Sequence, residues 1–77
     1  MKLNAFILMK VDLGCESKIL RALEAIPGLD NAFYVFGDYD MIATVSTNSI
    51  EGLTEVVSKI RRVGNVKSTS TMIAREL

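Results

Sequence analysis

The residues able to do chemistry in this chain are few, and their types narrow the field. There is no histidine, and Cys15 is the single cysteine. The commonest general base and metal ligand is therefore missing. Neither an intrachain disulfide nor a cysteine metal cage can form. The carboxylates make no cluster at metal-ligand spacing. Hydrolytic and metal chemistry are poorly served, so no catalytic residue, metal or cofactor is expected. Cys15 reads as a small residue at a helix start rather than a reactive thiol. Gly28 and Gly37 lack the spacing of a phosphate-binding loop. What remains is the tetrapeptide Gly37-Asp38-Tyr39-Asp40. Alone it suits an ordinary solvated hairpin, and its meaning depends on the elements around it.

Those elements follow from periodicity. Leu3 to Val11 reads as a strand, with Leu3, Ala5, Ile7, Met9 and Val11 on one face and Phe6 and Leu8 on the other. A strand apolar on both faces is usually covered on both. Asp12-Leu13-Gly14 breaks it. A helix follows over 16–26, with Ile19, Leu20, Leu23 and Ile26 on one stripe, ended by Pro27-Gly28. Leu29 to Phe36 predicts a second strand, again apolar on both faces, joined through Gly37-Asp38-Tyr39-Asp40 to an antiparallel third over Met41 to Ser46. Asn48 with Glu51 three residues on makes a capping box for a second helix. Its predicted buried stripe is Ile50, Leu53, Val57 and Ile60, and Gly64 is placed to end it. Val66 to Ala74 closes the chain as a strand carrying Ser68, Thr69, Ser70 and Thr71.

The resulting order, β-α-β-β-α-β, implies one α+β domain over residues 1–77, a ferredoxin-like sandwich. Right-handed crossovers put both helices on one face of a four-stranded antiparallel sheet. The other face is left bare, yet it carries apolar residues. A chain of 77 residues that is 49% apolar has more such surface than one small core needs. The bare face is therefore expected to pack on a second copy.

Charge and composition exclude other partners. Nine basic and nine acidic side chains cancel, whereas nucleic-acid binding draws on a basic excess. No direct nucleic-acid contact is expected. The opening apolar run is broken by Asn4 and Lys10, too early for a signal-peptide core, and nothing approaches the ~20 apolar residues of a membrane span. A cytoplasmic protein without a membrane partner is expected.

With the elements in place, the tetrapeptide gains company. The opening strand Ala5-Phe6-Ile7-Leu8, the Ile26-Pro27-Gly28 turn, the Gly37-Asp38-Tyr39-Asp40 loop and the ending Val66-Lys67-Ser68-Thr69-Ser70-Thr71-Met72-Ile73 resemble the effector domain of the leucine-responsive regulatory protein/AsnC family, the RAM domain. The resemblance spans essentially the whole chain. The last strand matches more loosely, since many members place a basic residue where Ser68 or Ser70 stands. The resemblance implies sheet-to-sheet dimers, higher assembly such as an octamer-like ring, and an amino acid bound beside the Gly-x-Tyr-Asp loop. Carried over by residue, Gly37 lets backbone approach the ligand. Asp40, with Asp38, holds the ammonium group or orders the loop, and Tyr39 belongs to the same segment. Hydroxyls of Thr69 or Thr71 complete the polar contacts. A zwitterion needs acceptors for its ammonium and donors for its carboxylate, which an Asp and loop amides supply. Asp40 as a tie within its own turn is the competing reading.

Full-length members carry a helix-turn-helix domain ahead of this unit, whereas this chain opens almost directly on the first strand. It is therefore expected to act as a stand-alone effector domain, alone or mixed with full-length regulators. Five rival readings are open to test. An ACT-type domain would use the loop after the first strand, Asp12-Leu13-Gly14. A small dimeric α/β-barrel enzyme would want a histidine, a tryptophan or an acid–base pair in a polar cavity, and the first two are absent. A purely structural oligomeriser would bind nothing. An RNA-recognition motif would need aromatics on the third strand, where Met41-Ile42-Ala43-Thr44-Val45-Ser46 has none. A heavy-metal-binding domain would need a second cysteine beside Cys15.

Overall fold

Alternation along the first strand sets the architecture. In the computed structural model, which describes residues 2–75, Leu3, Ala5, Ile7, Met9 and Val11 are buried, while Asn4, Phe6, Leu8 and Lys10 face the other way. This strand, β1 (Leu3–Val11), is followed by α1 (Glu16–Glu24), β2 (Leu29–Tyr34), β3 (Met41–Thr47), α2 (Ile50–Arg61) and β4 (Val66–Arg75). The sheet order is β2-β3-β1-β4 and all pairings are antiparallel. The expected ferredoxin-like sandwich is what forms.

Ile19 and Leu23 of α1 and Leu53, Val56 and Ile60 of α2 pack on the inward residues of β1 and on Met41, Ala43 and Val45 of β3. Each large side chain buried this way contributes about 1.5–3 kcal/mol. No polar or charged residue is buried as a whole among the described residues. The opposite face has no helix. There the pairing aligns Phe33, Ile42, Leu8 and Ser70 in one row and Asn31, Thr44, Phe6 and Met72 in the next. Phe6, Phe33 and Met72 are exposed, and an apolar band crosses the sheet.

Several details depart from the sequence expectations. Helix α1 ends at Glu24 rather than Ile26, because its last turn tightens: Ala25 N–H donates to Ala22 O and Ile26 N–H to Leu23 O. Strand β2 ends at Tyr34, since Val35 N–H donates instead to Asp40 O at 3.0 Å and Phe36 leaves the sheet, fully exposed. An irregularity between Leu29 and Asn31 inserts Asp30 and resets the alternation, so Leu29 and Ala32 both turn toward the core.

The cap of α2 is Ser49, not Asn48. Its Oγ accepts from Gly52 N–H at 3.0 Å, and Thr47 Oγ1 donates to Ser49 O at 2.9 Å, which pins the extended Ser49 one residue further on. The buried stripe uses Val56 in place of Val57, and Ile50 stays exposed. Val56 fits because Gly28 lies beneath it: a Cβ at Gly28 would stand 3.0 Å from Val56 Cγ2. Helix α2 ends before Gly64 is reached, and the left-handed residue is Asn65, with φ 73. Asparagine tolerates that region, and here its side chain donates to Asp12 Oδ2 at 3.1 Å.

Gly28 combines a positive φ of 91 with that close approach. Gly28→Ala is expected to cost at least roughly 1–2 kcal/mol from the backbone alone, more with the Val56 contact. Chemical denaturation should show a lowered midpoint at unchanged slope.

Candidate functional site

The hairpin between β2 and β3 does not project freely. It folds back on the end of β1 through Asp40. Asp40 N–H donates to Met9 O at 2.9 Å, and the Asp40 carboxylate accepts from Val11 N–H at 2.9 Å. With Val35 N–H on Asp40 O, one residue ties three points of the chain. The sheet register explains why Val11 needs this partner. The β1–β4 register shifts between Lys10 and Val11, so the ladder is irregular there, and a part-buried amide without an acceptor costs about 1–3 kcal/mol. Of the two roles open to Asp40 in the sequence, the structural tie is on view. One bond leaves a carboxylate with further acceptor capacity.

Beside this tie lies a groove of about 520 Å³, lined by Gly14, Glu16, Ser17, Tyr34, Val35, Phe36 and Asp40. The volume falls within the range of small-molecule sites. Its lining mixes charge, hydroxyl and aromatic surface. One wall is the first turn of α1, which begins at Cys15 with no side-chain cap. Uncapped first-turn amides are free donors at the positive end of a helix. In contrast, α2 has its Ser49 cap. The other walls are the end of β2 and Asp40. The groove therefore offers donors suited to a carboxylate and acceptors suited to an ammonium group.

The remaining expected residues scatter. Gly37, with φ 126, and Asp38 are exposed in the loop, and nothing lies within 4 Å of a Cβ built on Gly37. Tyr39 turns to the other side of the tie, where Lys10 Nζ stands 5.8 Å from its ring centroid. Thr69 and Thr71 pair with Met9 and Ile7 on the helix-covered face. Thr69 Oγ1 accepts from Arg61 Nε at 3.3 Å. Thr71 lines a separate groove of about 250 Å³ between α2 and β4, with its hydroxyl oxygen buried and unpartnered. Within one copy these threonines do not share a groove with Asp40. Asp12, the residue favoured by the ACT-type rival, is also in use. It exchanges two bonds with Asn65, backbone N–H to O at 2.9 Å and Asn65 Nδ2 to Asp12 Oδ2 at 3.1 Å. Sequence reasoning missed Gly14, Glu16, Ser17 and Tyr34. The clue was the lack of a Ser, Thr, Asp or Asn at the position before Glu16, which leaves the first turn of α1 open.

A model of the Lrp/AsnC ligand-binding domain matches residues 4–76. The HTH-type transcriptional regulator FL11 of Pyrococcus horikoshii is 35% identical over 69 residues, which cover 90% of this chain and 46% of the regulator. The chain thus spans about half the length of the FL11 regulators it matches. A homocitrate synthase of Sulfurisphaera tokodaii is 31% identical over 82% of this chain but only 15% of the enzyme. Among solved structures, hypothetical protein PHS023 of Pyrococcus horikoshii has a TM-score of 0.87 at 37% identity, covering 97% of this chain and 92% of that one. The feast or famine regulatory protein Rv3291c of M. tuberculosis, solved with L-methionine, shares the fold at 24% identity, with a TM-score of 0.80 over 97% of this chain and 51% of that one. Among the described residues no helix is long and apolar enough to cross a membrane.

The two roles of Asp40 separate experimentally. Asp40→Ala strands the Val11 amide and is expected to cost roughly 1–3 kcal/mol. That is a fall of several degrees in Tm for a domain this small. Asp40→Asn keeps an acceptor oxygen and should retain most of that stability while removing the charge. Thermal denaturation of the three proteins side by side tests this, and equal losses in both variants would contradict it.

Proposed function

The chain belongs to the Lrp/AsnC ligand-binding domain family, and from that membership together with the groove we propose that it is an amino-acid-binding, self-assembling effector module. The observation that carries the reading is the pairing, in one groove, of the Asp40 carboxylate with the uncapped first turn of α1. In this reading the ligand's carboxylate meets the free amides near Ser17. Its ammonium group meets Asp40, whose bond to Val11 leaves lone pairs to share. Gly37 and Asp38 stand in the same exposed loop as Asp40, whereas Tyr39, Thr69 and Thr71 lie away from this groove. The fold shared with a protein solved with L-methionine supports a small amino acid as the class of ligand.

Self-assembly rests on the uncovered sheet face. A contiguous apolar band on a soluble domain marks an interaction surface, and a second copy of the same face is its natural complement under twofold symmetry. Such a module could act on its own, or mixed with full-length regulators of the family that reach DNA themselves. Similarity to a small part of an enzyme as well as to half of a regulator supports a transferable regulatory module rather than a catalytic unit.

A thermal-shift screen against the twenty amino acids tests the binding. A ligand at a hundred times its Kd adds about 2.7 kcal/mol, and each kcal/mol moves the midpoint of a small domain by roughly 4–8 °C. A selective shift that weakens in Asp40→Asn is expected. The absence of any shift would leave the assembly function alone standing. For that function, light scattering at micromolar concentration should give a mass above one chain. Phe6→Glu combined with Phe33→Glu should reduce it to a monomer, and a monomeric parent protein would remove the argument from the bare face.

A further inference from the structure

Helix α2 covers β4 only in part. Thr69, Thr71 and Ile73 pair with Met9, Ile7 and Ala5 on the helix-covered side of the sheet, yet Ile73 is 55% exposed. The uncovered strip is the groove of about 250 Å³ between the two elements. It is polarised along its length. Leu53, Val57 and Arg61 are spaced four apart and share one stripe of α2. Thr69, Thr71 and Ile73 alternate along β4 and share one face. The bond from Arg61 Nε to Thr69 Oγ1, at 3.3 Å, fixes which ends correspond. The cation lies at the Thr69 end, the apolar side chains of Leu53 and Ile73 lie at the other, and Thr71 stands between them.

Two polar groups in this groove lack the partners their chemistry asks for. Thr71 Oγ1 is buried without a hydrogen bond, and a hydroxyl held so costs free energy until something bonds it. Arg61 enters no ion pair among the described residues, and no carboxylate lines the groove. With Nε committed to Thr69, the terminal amino groups of the guanidinium keep their donors free for a planar acceptor. A guanidinium and a hydroxyl proton together call for an anionic oxygen pair, and the walls of Leu53, Val57 and Ile73 call for an apolar chain attached to it. The volume holds roughly eight water-sized groups at about 30 Å³ each, the size of an acid of about six carbons.

We propose that the α2–β4 groove binds a short-chain monocarboxylate. Its carboxylate pairs with the Arg61 guanidinium and accepts from Thr71 Oγ1, and its alkyl chain lies between Leu53, Val57 and Ile73. The site is separate from the groove beside Asp40 and does not depend on what that groove binds.

Hexanoate is the probe, titrated into the intact protein and followed through side-chain methyl signals by NMR. Hexanol supplies the chain without the charge, and acetate the charge without the chain. Hexanoate is expected to shift the methyls of Leu53, Val57, Thr71 and Ile73 and to bind about tenfold tighter than either control. Added salt should weaken hexanoate and spare hexanol. Arg61→Gln should erase the advantage over hexanol. Thr71→Val keeps the side chain's shape and should weaken hexanoate several-fold without lowering the Tm of the free protein, because the hydroxyl it removes has no partner to lose. That separates a lost contact from a lost fold. Hexanol binding as tightly as hexanoate, or no methyl shift at millimolar hexanoate, would overturn the site. Shifts of the same methyls on raising protein concentration alone would also overturn it, since a second copy would then cover the groove. Hexanoate affinity unchanged in Thr71→Val would overturn the role of the hydroxyl.

Discussion

A four-stranded sheet has two faces to keep from water, and this chain has helices for one. The central strands β1 and β3 are committed inward through Ala5, Ile7, Met9, Met41, Ala43 and Val45, onto which α1 and α2 pack. The outward positions of the same strands hold Phe6, Leu8 and Ile42, where an independent one-sided sheet would carry polar residues. Apolar surface of that kind costs free energy in water in proportion to its area. The constraint lies in β1 itself, whose alternation places apolar side chains on both faces of the sheet.

The one-sided cover also decides where a groove can open. Helix α1 starts at the end of β1 where the β2–β3 hairpin folds back, and a gap remains between the hairpin and the uncapped first turn of the helix. Asp40 keeps that gap from collapsing or drifting. Its three bonds, to Val11, Met9 and Val35, fix the hairpin against the central strand rather than against another loop. A second brace, Asp12 with Asn65, ties the turn after β1 to the turn before β4. Two short acidic side chains thus fasten three connections at the same end of the sheet.

Most of the fold was legible in the sequence because hydrophobic period reports it directly. The alternation of 3–11 and the stripe of Ile19 and Leu23 needed no tertiary information. What escaped depended on contacts distant in sequence. Val56 rather than Val57 is buried because Gly28, far away in the chain, leaves space for it. Ser49 displaces Asn48 as cap because Thr47 fixes the backbone before it. The site was legible only in its loop. The tetrapeptide drew attention to Asp40, but nothing in the spacing showed that Val11 would claim its carboxylate. Nor did it show that Thr71 would turn under α2, or that Tyr34 and Glu16 would meet across the groove. Those facts follow from an irregularity at Lys10–Val11 that no local pattern announces.

The same few residues bear on both the groove and the bare face. Lys10 points to the uncovered side of the sheet, where it stands over the ring of Tyr39. The next residue, Val11, turns inward and gives its amide to Asp40. Tyr39 and Asp40 are likewise neighbours, one beside the uncovered sheet face and the other on the groove. A displacement of the hairpin at either residue must therefore be felt at the other within a single peptide unit. The hairpin is short and held at three points, and in a fold with one free sheet face and one open groove it is the part of the chain that stands next to both.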